Sequence, residues 1–252
     1  MELAIRWPEQ VSALQPVPVE VDFVPPPDVD VSPAVTALVL DPRWHVWGIF
    51  HLEHQGENRY AAGEPLQLPL EPLEGDWRLA VSVQSELAVV GERRLVFRPS
   101  AIPFRDLASV LPAGVDLRVP QQFMEGIAQG DPLAGGRVWR YEDGELAVWW
   151  APGPTEPLLL NNAIVMLEAT HDPENPPTVR GVEETAWRGQ AAFQFDEDWP
   201  ADSSGTDGGP AEALVIQGPD YHLYVLRVRA LGQETIPPIL YQVRDTFVFS
   251  EP

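Results

Sequence analysis

Gly135 to Pro154 reads GGRVWRYEDGELAVWWAPGP, two apolar and aromatic runs on either side of a Glu-Asp-Gly turn. The pattern is that of a β-hairpin, with Asp143-Gly144 as the turn. Val138, Trp139 and Tyr141 precede it, and Leu146, Val148, Trp149 and Trp150 follow. One hairpin therefore brings several large rings to a sheet that must be covered. The cover is expected from the last segment, Ile236 to Phe249.

Working outward toward the C-terminus, Leu158 to Thr170 places Leu160, Ala163, Ile164 and Leu167 at helical spacing. A continuous strand is the competing reading, because Ile164 to Leu167 is an unbroken apolar run. Asn161 and Asn162 are positioned to cap such a helix. Glu184 to Phe195 returns to strand character, whereas 196 to 210, DEDWPADSSGTDGGP, has a composition too polar to pack. Ala213 to Gln217 and Leu223 to Ala230 flank Gly218-Pro219-Asp220-Tyr221 as a second hairpin. Ile239, Leu240, Val243 and Phe247 then recur on one side of a helix that Pro237 and Pro238 can open.

Toward the N-terminus the pattern is all-β. Val19, Val21 and Phe23 alternate with Glu20 and Asp22, and after Pro25, Pro26 and Pro27 an apolar run covers Val35 to Leu40. Trp44 to Glu53 continues it, Gln55 to Asn58 reverses the chain, and residues 64 to 74 form an irregular crossing. Leu79, Val81 and Val83 alternate with Ala80, Ser82 and Gln84, and Leu95 and Phe97 repeat the pattern. These short strands predict a β-sandwich of immunoglobulin-like kind over 1–104. Pro99 to Leu111 reads as a junction, and 105–252 as a second domain of α+β class, an antiparallel sheet covered by helices.

The order of that second part is strand (VDLRVP, 115–120), hairpin (136–150), helix, strand, hairpin (213–230) and a closing helix running into DTFVF. In this order, over about 105–250, the chain resembles the PsbP-like group, whose domains are α/β/α sandwiches around an antiparallel sheet. Members of the group serve as assembly subunits, adaptors and lipoproteins. The resemblance thus implies binding rather than catalysis, and it transfers no functional residue.

Composition removes whole classes of chemistry. The formal charge is −22 over 252 residues, and all the basic residues are arginine, most simply the mark of a G+C-rich, prokaryotic genome. A chain so acidic lacks the basic footprint that nucleic acid or an anionic membrane requires. Without lysine there is no Walker-type phosphate loop and no Schiff base with pyridoxal phosphate. Without cysteine there is no thiol nucleophile, thiolate metal site or disulfide. No stretch approaches the ~20 apolar residues of a membrane span. MELAIRWPEQ does not read as a signal peptide, so the expectation is a cytoplasmic protein, or an exported one if a leader has been trimmed.

Three groups of residues are candidates for a site. His45, His51 and His54 with Glu53 could hold a divalent metal, but His54 lies at odd spacing from the others and a straight strand puts it on the opposite side. Asp196, Glu197, Asp198, Asp202 and Asp207 form the densest run of oxygen ligands, in an order that does not match the EF-hand loop. Trp139, Tyr141, Trp149, Trp150 and Trp187 could line a cleft. As strand neighbours Trp149 and Trp150 must face opposite sides, so an exposed member of the set would mark a binding patch. Trp149, Trp150 and Trp187 are the residues chosen for binding, with no metal and no cofactor expected.

The sequence contains neither G-x-S-x-G nor H-E-x-x-H. The expectation is therefore a non-catalytic binding or assembly protein acting on a protein partner or small ligand. The alternative is a metal-dependent or acid-base hydrolase seated between the domains, drawing on His45, His51, His54, His171 and His222 with Glu183 or Glu184. A purely structural, salt-tolerant acidic protein is a third class.

Overall fold

The computed structural model describes residues 2–25, 33–85, 89–201 and 207–250. The chain divides into two compact units, Met1–Ile102 and Pro103–Pro252. Each is mostly antiparallel sheet.

The first unit comprises β1 (Glu2–Arg6), β2 (Glu20–Val24), β3 (Ala34–Leu40), β4 (Val46–Gly56), β5 (Arg59–Ala62), β6 (Trp77–Gln84) and β7 (Val89–Phe97). In β6 the alternation is clean: Trp77, Leu79, Val81 and Val83 are buried, and Arg78, Ala80 and Ser82 are half-buried between them. Val35, Ala37 and Val39 of β3 and Val21 and Phe23 of β2 add to the same core. The crossing at 64–74 contributes Leu66, Leu68 and Leu70 and is tied down where Val17 and Leu66 exchange backbone hydrogen bonds of 2.8 Å. All seven strands form one ladder, β1-β2-β5-β4-β3-β6-β7. An immunoglobulin-like sandwich would divide them between two ladders. Here β5 pairs with both β2 and β4, which keeps the strands of a second sheet in the first. The two edges approach each other, since Arg93 Nη1 of β7 donates to the Leu3 carbonyl of β1 at 3.0 Å.

The second unit comprises β8 (Val115–Asp116), β9 (Met124–Gly130), β10 (Gly135–Tyr141), β11 (Gly144–Pro152), α1 (Leu160–Glu168), β12 (Thr178–Trp187), β13 (Gln190–Trp199), β14 (Gly209–Gln217), β15 (His222–Ala230), α2 (Pro238–Arg244) and β16 (Val248–Phe249). Seven of its strands make one antiparallel sheet, β12-β13-β14-β15-β11-β10-β9, while β8 and β16 pair separately. The β10–β11 hairpin is where the sequence places it, but the turn lies one residue earlier. Tyr141 pairs with Gly144, and Glu142 takes the left-handed conformation at φ 50°. Gly144 serves packing instead, because a Cβ there would stand 2.7 Å from Leu240 Cδ1 of α2. The two glycines at the head of the hairpin have a related role. Gly135 lies opposite Trp150 and Gly136 opposite Trp149, and a Cβ on Gly136 would come within 1.9 Å of the Trp149 ring. Each Trp thus lies across a glycine, on opposite faces of the sheet.

Within 158–170 the chain is helix, not strand, over Leu160–Glu168. The helix begins at Leu159 with no side-chain cap, so Asn161 and Asn162 lie within the first turn rather than capping it. Ala163, Met166 and Leu167 pack with Leu158 on Phe193, Phe195, Ala213, Val215, Leu223 and Val225, with Trp149 and Ala151 alongside. The alternate residues face α2, where Tyr224 packs on Phe247 and Phe249 with ring centroids 5.7 and 5.3 Å away. One helix therefore lies on each face. Of the stretch 196–210 read as too polar to pack, 196–199 continue β13 and Gly209 opens β14, while 202–206 lie outside the described residues.

Candidate functional site

The site follows from a mismatch of lengths. The nine-residue strands of this sheet rise ~30 Å, whereas α1, also nine residues, spans only ~13 Å. The helix covers one half of its face and leaves the other half open. The uncovered half is a cleft of about 460 Å³, floored by Val138, Ala147, Trp149 and Arg227 and walled by Ala169–Asp172, Asn175 and the chain at Trp199–Pro200 and Asp207.

Strand alternation selects the side chains at the floor. Arg227 and Arg229 of β15 share a face with Leu223 and Val225, and register places Arg229 opposite Glu145, which in turn lies opposite Arg140. Across β14, between Arg227 and Glu197, this face carries Ala211 and Ala213, which pair with Glu197 and Arg227 respectively. Over these small side chains Arg227 Nε donates to Glu197 Oε2 at 2.7 Å, and Nη2 to Oε1 at 3.3 Å. Arg227 Nη2 also donates to Thr170 Oγ1 at 2.8 Å. Glu197 further lies 2.6 Å from His171 Nε2 and accepts from Trp199 Nε1 at 3.2 Å. A buried carboxylate so surrounded is satisfied. Burial alone would push its pKa up; the hydrogen bond from His171 and the charge of Arg227 outweigh that and hold it below the ordinary carboxylate range.

Around this buried network the cleft is rich in guanidinium and indole. Arg229 and Arg227 stack over Trp199, at 4.4 and 5.0 Å from the ring centroid, and the His171 ring meets it edge-on at 5.7 Å. Arg140, the most exposed of the three arginines lining the cleft, donates from Nε to Glu145 at 3.0 Å and lies 3.7 Å from Asp207. The Trp149 indole N–H has no partner among the described residues.

The residues singled out from sequence scatter. Trp149 lines the cleft. Trp150 is 1 % exposed in the core on the opposite face, its indole N–H donating to the Asp131 carbonyl at 2.9 Å, so it presents no surface. Trp187 donates to the Phe247 carbonyl at 3.3 Å and lies by Arg244 of α2, away from the cleft. His45 lies 3.4 Å from Asp41, His54 Nε2 hydrogen-bonds to the Glu57 carbonyl at 2.9 Å, and His51 stands exposed on β4. Asp196 and Asp198 share one face of β13, where Arg180 pairs with Asp198, while Glu197 faces the other; Asp202 lies outside the described residues. No group of three or more His, Asp or Glu side chains among the described residues converges as a metal site. His222 sits beside Asp220 at 2.9 Å, at the opposite end of β15 from Arg229. No helix among the described residues is long and apolar enough to cross a membrane.

Arg227, Arg229, Arg140 and Trp199 were not anticipated. The signal was present in LYVLRVRA, 223–230, where two arginines alternate with Leu226 and Val228 in an otherwise apolar strand. Arginines at period two in a strand with neighbours on both sides must be buried and paired.

No family model and no curated protein matches the sequence. Among solved structures, the chain is similar to cyanobacterial PsbP (CyanoP) from Synechocystis sp. PCC 6803, with 12% identity and a TM-score of 0.39, over 54% of this chain and 86% of that one. It is also similar to the Saccharomyces cerevisiae Ran-binding protein Mog1p, with 10% identity and a TM-score of 0.36, over 54% of this chain and 90% of that one. These are likenesses of fold alone, and the resemblance to the PsbP-like group stands at that level.

Proposed function

We propose that this is a non-catalytic binding or assembly protein that takes a small ligand or a protein segment into the cleft on the α1 face of its second unit. The observation that carries the reading is the half-covered sheet face. A helix too short for its sheet leaves indole and guanidinium groups around a cavity, and these are the side chains that dominate binding hot spots. Each unit is taken as a domain, supported by its own set of buried apolar residues. The groups nearest to acid-base chemistry are already engaged: Glu197 is paired with Arg227 and His171, and Thr170 Oγ1 donates to the Leu167 carbonyl at 2.7 Å. That engagement favours binding over the hydrolase alternative.

Ala147→Phe tests the proposal, because Ala147 lies on the cleft floor and a ring there fills the space. The wild type is expected to gain thermal stability with at least one member of a panel of organic acids, sugars, nucleotides and peptides, by mass action on the folded state. The variant is expected to lose that gain while its own midpoint stays within a few degrees. A gain that survives in Ala147→Phe would place binding elsewhere.

A further inference from the structure

Within that reading of the cleft, the surroundings of Arg229 narrow the ligand class. Arg229 is 8 % exposed on a central strand. Its Nη2 donates to the backbone carbonyl of Asp207, a neutral acceptor. Its Nη1 stays 3.9 Å from the nearest Glu145 oxygen, beyond hydrogen-bond distance, and its Nε has no acceptor among the described residues. Among the described residues the carboxylates nearest to Arg229 have other partners, and Asp172, on the cleft wall, accepts from the Glu174 backbone N–H at 2.9 Å. Glu145 accepts from Arg140 at 3.0 Å, Glu197 from Arg227 at 2.7 Å, and Asp207 approaches Arg140 at 3.7 Å.

A nearly buried guanidinium therefore lines a cavity without a carboxylate in hydrogen-bond contact among the described residues. Burial lowers its pKa; the Glu145 and Asp207 charges oppose this, and the neighbouring Arg140 and Arg227 add to the lowering. Buried charges are ordinarily paired at hydrogen-bond distance, and the 3.9 Å ion pair with Glu145 leaves Arg229 short of that. The cleft lining carries Arg140, Arg227 and Arg229 against Glu145, Asp172 and Asp207, so it is balanced in charge where the chain as a whole stands at −22.

We propose that the cleft takes a small organic oxyanion, whose carboxylate or phosphate group pairs with Arg229 at the floor and Arg140 at the outer end. The cavity, at about 460 Å³, suits a small molecule rather than a bare inorganic ion. Guanidinium recognises both acids by paired N–H donors, so the choice between them is left to the probes.

The test is thermal unfolding of the full chain with succinate, citrate and glycerol 3-phosphate, each against sodium chloride of matched ionic strength, with succinamide as the uncharged counterpart. At least one acid is expected to raise the midpoint saturably where succinamide does not. A response to the carboxylates only, or to the phosphate only, assigns the group. Arg229→Met and Arg140→Gln are each expected to weaken the response about 10- to 100-fold, the loss of a charge-assisted hydrogen bond. Arg140 is 45% exposed, so its variant keeps the test decisive even if Arg229→Met does not fold. No acid shifting the midpoint beyond sodium chloride, or shifts retained in both variants, would overturn the oxyanion proposal. If a neutral or cationic ligand instead stabilises the wild type and not Ala147→Phe, the oxyanion class is wrong and the cleft reading stands. If Ala147→Phe alters the response to no ligand, both fall.

Discussion

Replacing Arg227 by Met should destabilise the second unit by about 3–5 kcal/mol, because it leaves a buried carboxylate without its main counter-charge. The structure supports the upper class of effect: the Glu197 side chain is 0% exposed and that of Arg227 only 4%. The variant removes the contacts at 2.7 and 3.3 Å and the bond to Thr170, and leaves Glu197 with only His171 and Trp199. At about 2–4 °C per kcal/mol for a chain of this size, the midpoint should fall by roughly 6–20 °C at pH 7. Adding Glu197→Met should restore most of the loss, since Ala211 and Ala213 leave an apolar floor between the two positions. Denaturant unfolding of the wild type, both single variants and the double variant measures the coupling directly. A single-variant cost under about 1 kcal/mol, typical of an exposed pair, would refute the argument. So would a double variant no more stable than the sum of the singles.

The same network fixes a pH dependence. Because the folded-state pKa of Glu197 is lowered, its contribution is fully present above the unfolded value of ~4.3 and is lost as pH falls through the folded value. The midpoint of the wild type should drop more steeply below that pH than that of Glu197→Gln, and parallel profiles would contradict it. Gly136→Ala should cost about 1–3 kcal/mol and displace Trp149, since the new Cβ would stand 1.9 Å from the indole; near-ultraviolet circular dichroism and denaturant melts read both effects. The Tyr141 phenol is pushed up to about 12, first by burial and then by Glu142. Absorbance titration should show a late-ionising tyrosine that Tyr141→Phe removes, and a difference spectrum centred near pH 10 would refute it.

The hairpin at 135–152, the helix at 160–168 and the closing helix were legible because each rests on local periodicity. The turn was misplaced by one residue because a glycine has more than one use: Gly144 clears space for Leu240, while Glu142 supplies the left-handed conformation. The stretch at 196–199 was read as too polar to pack because the partner that lets Glu197 enter the core, Arg227, lies thirty positions away in sequence. Composition cannot show that pairing; only the register of β13, β14 and β15 brings it about. The single ladder of the first unit depends likewise on β5 pairing with both β2 and β4, which short alternating strands do not encode. Of the candidate site, Trp149 was legible from its alternation with Trp150, but which of the two met an uncovered face depended on the length of α1. The exposed strand β9, Met124–Gly130, has no apolar alternation to mark it as a strand.

Amide hydrogen exchange of the full chain with and without saturating citrate tests the central claim most directly, because it reports where the folded protein is engaged. Added protection is expected in the strands around Ala147 and Arg229 and in the chain at 169–175 and 199–201, which together enclose the cleft. Protection confined to other segments, or none at a concentration that raises the unfolding midpoint, would contradict the account.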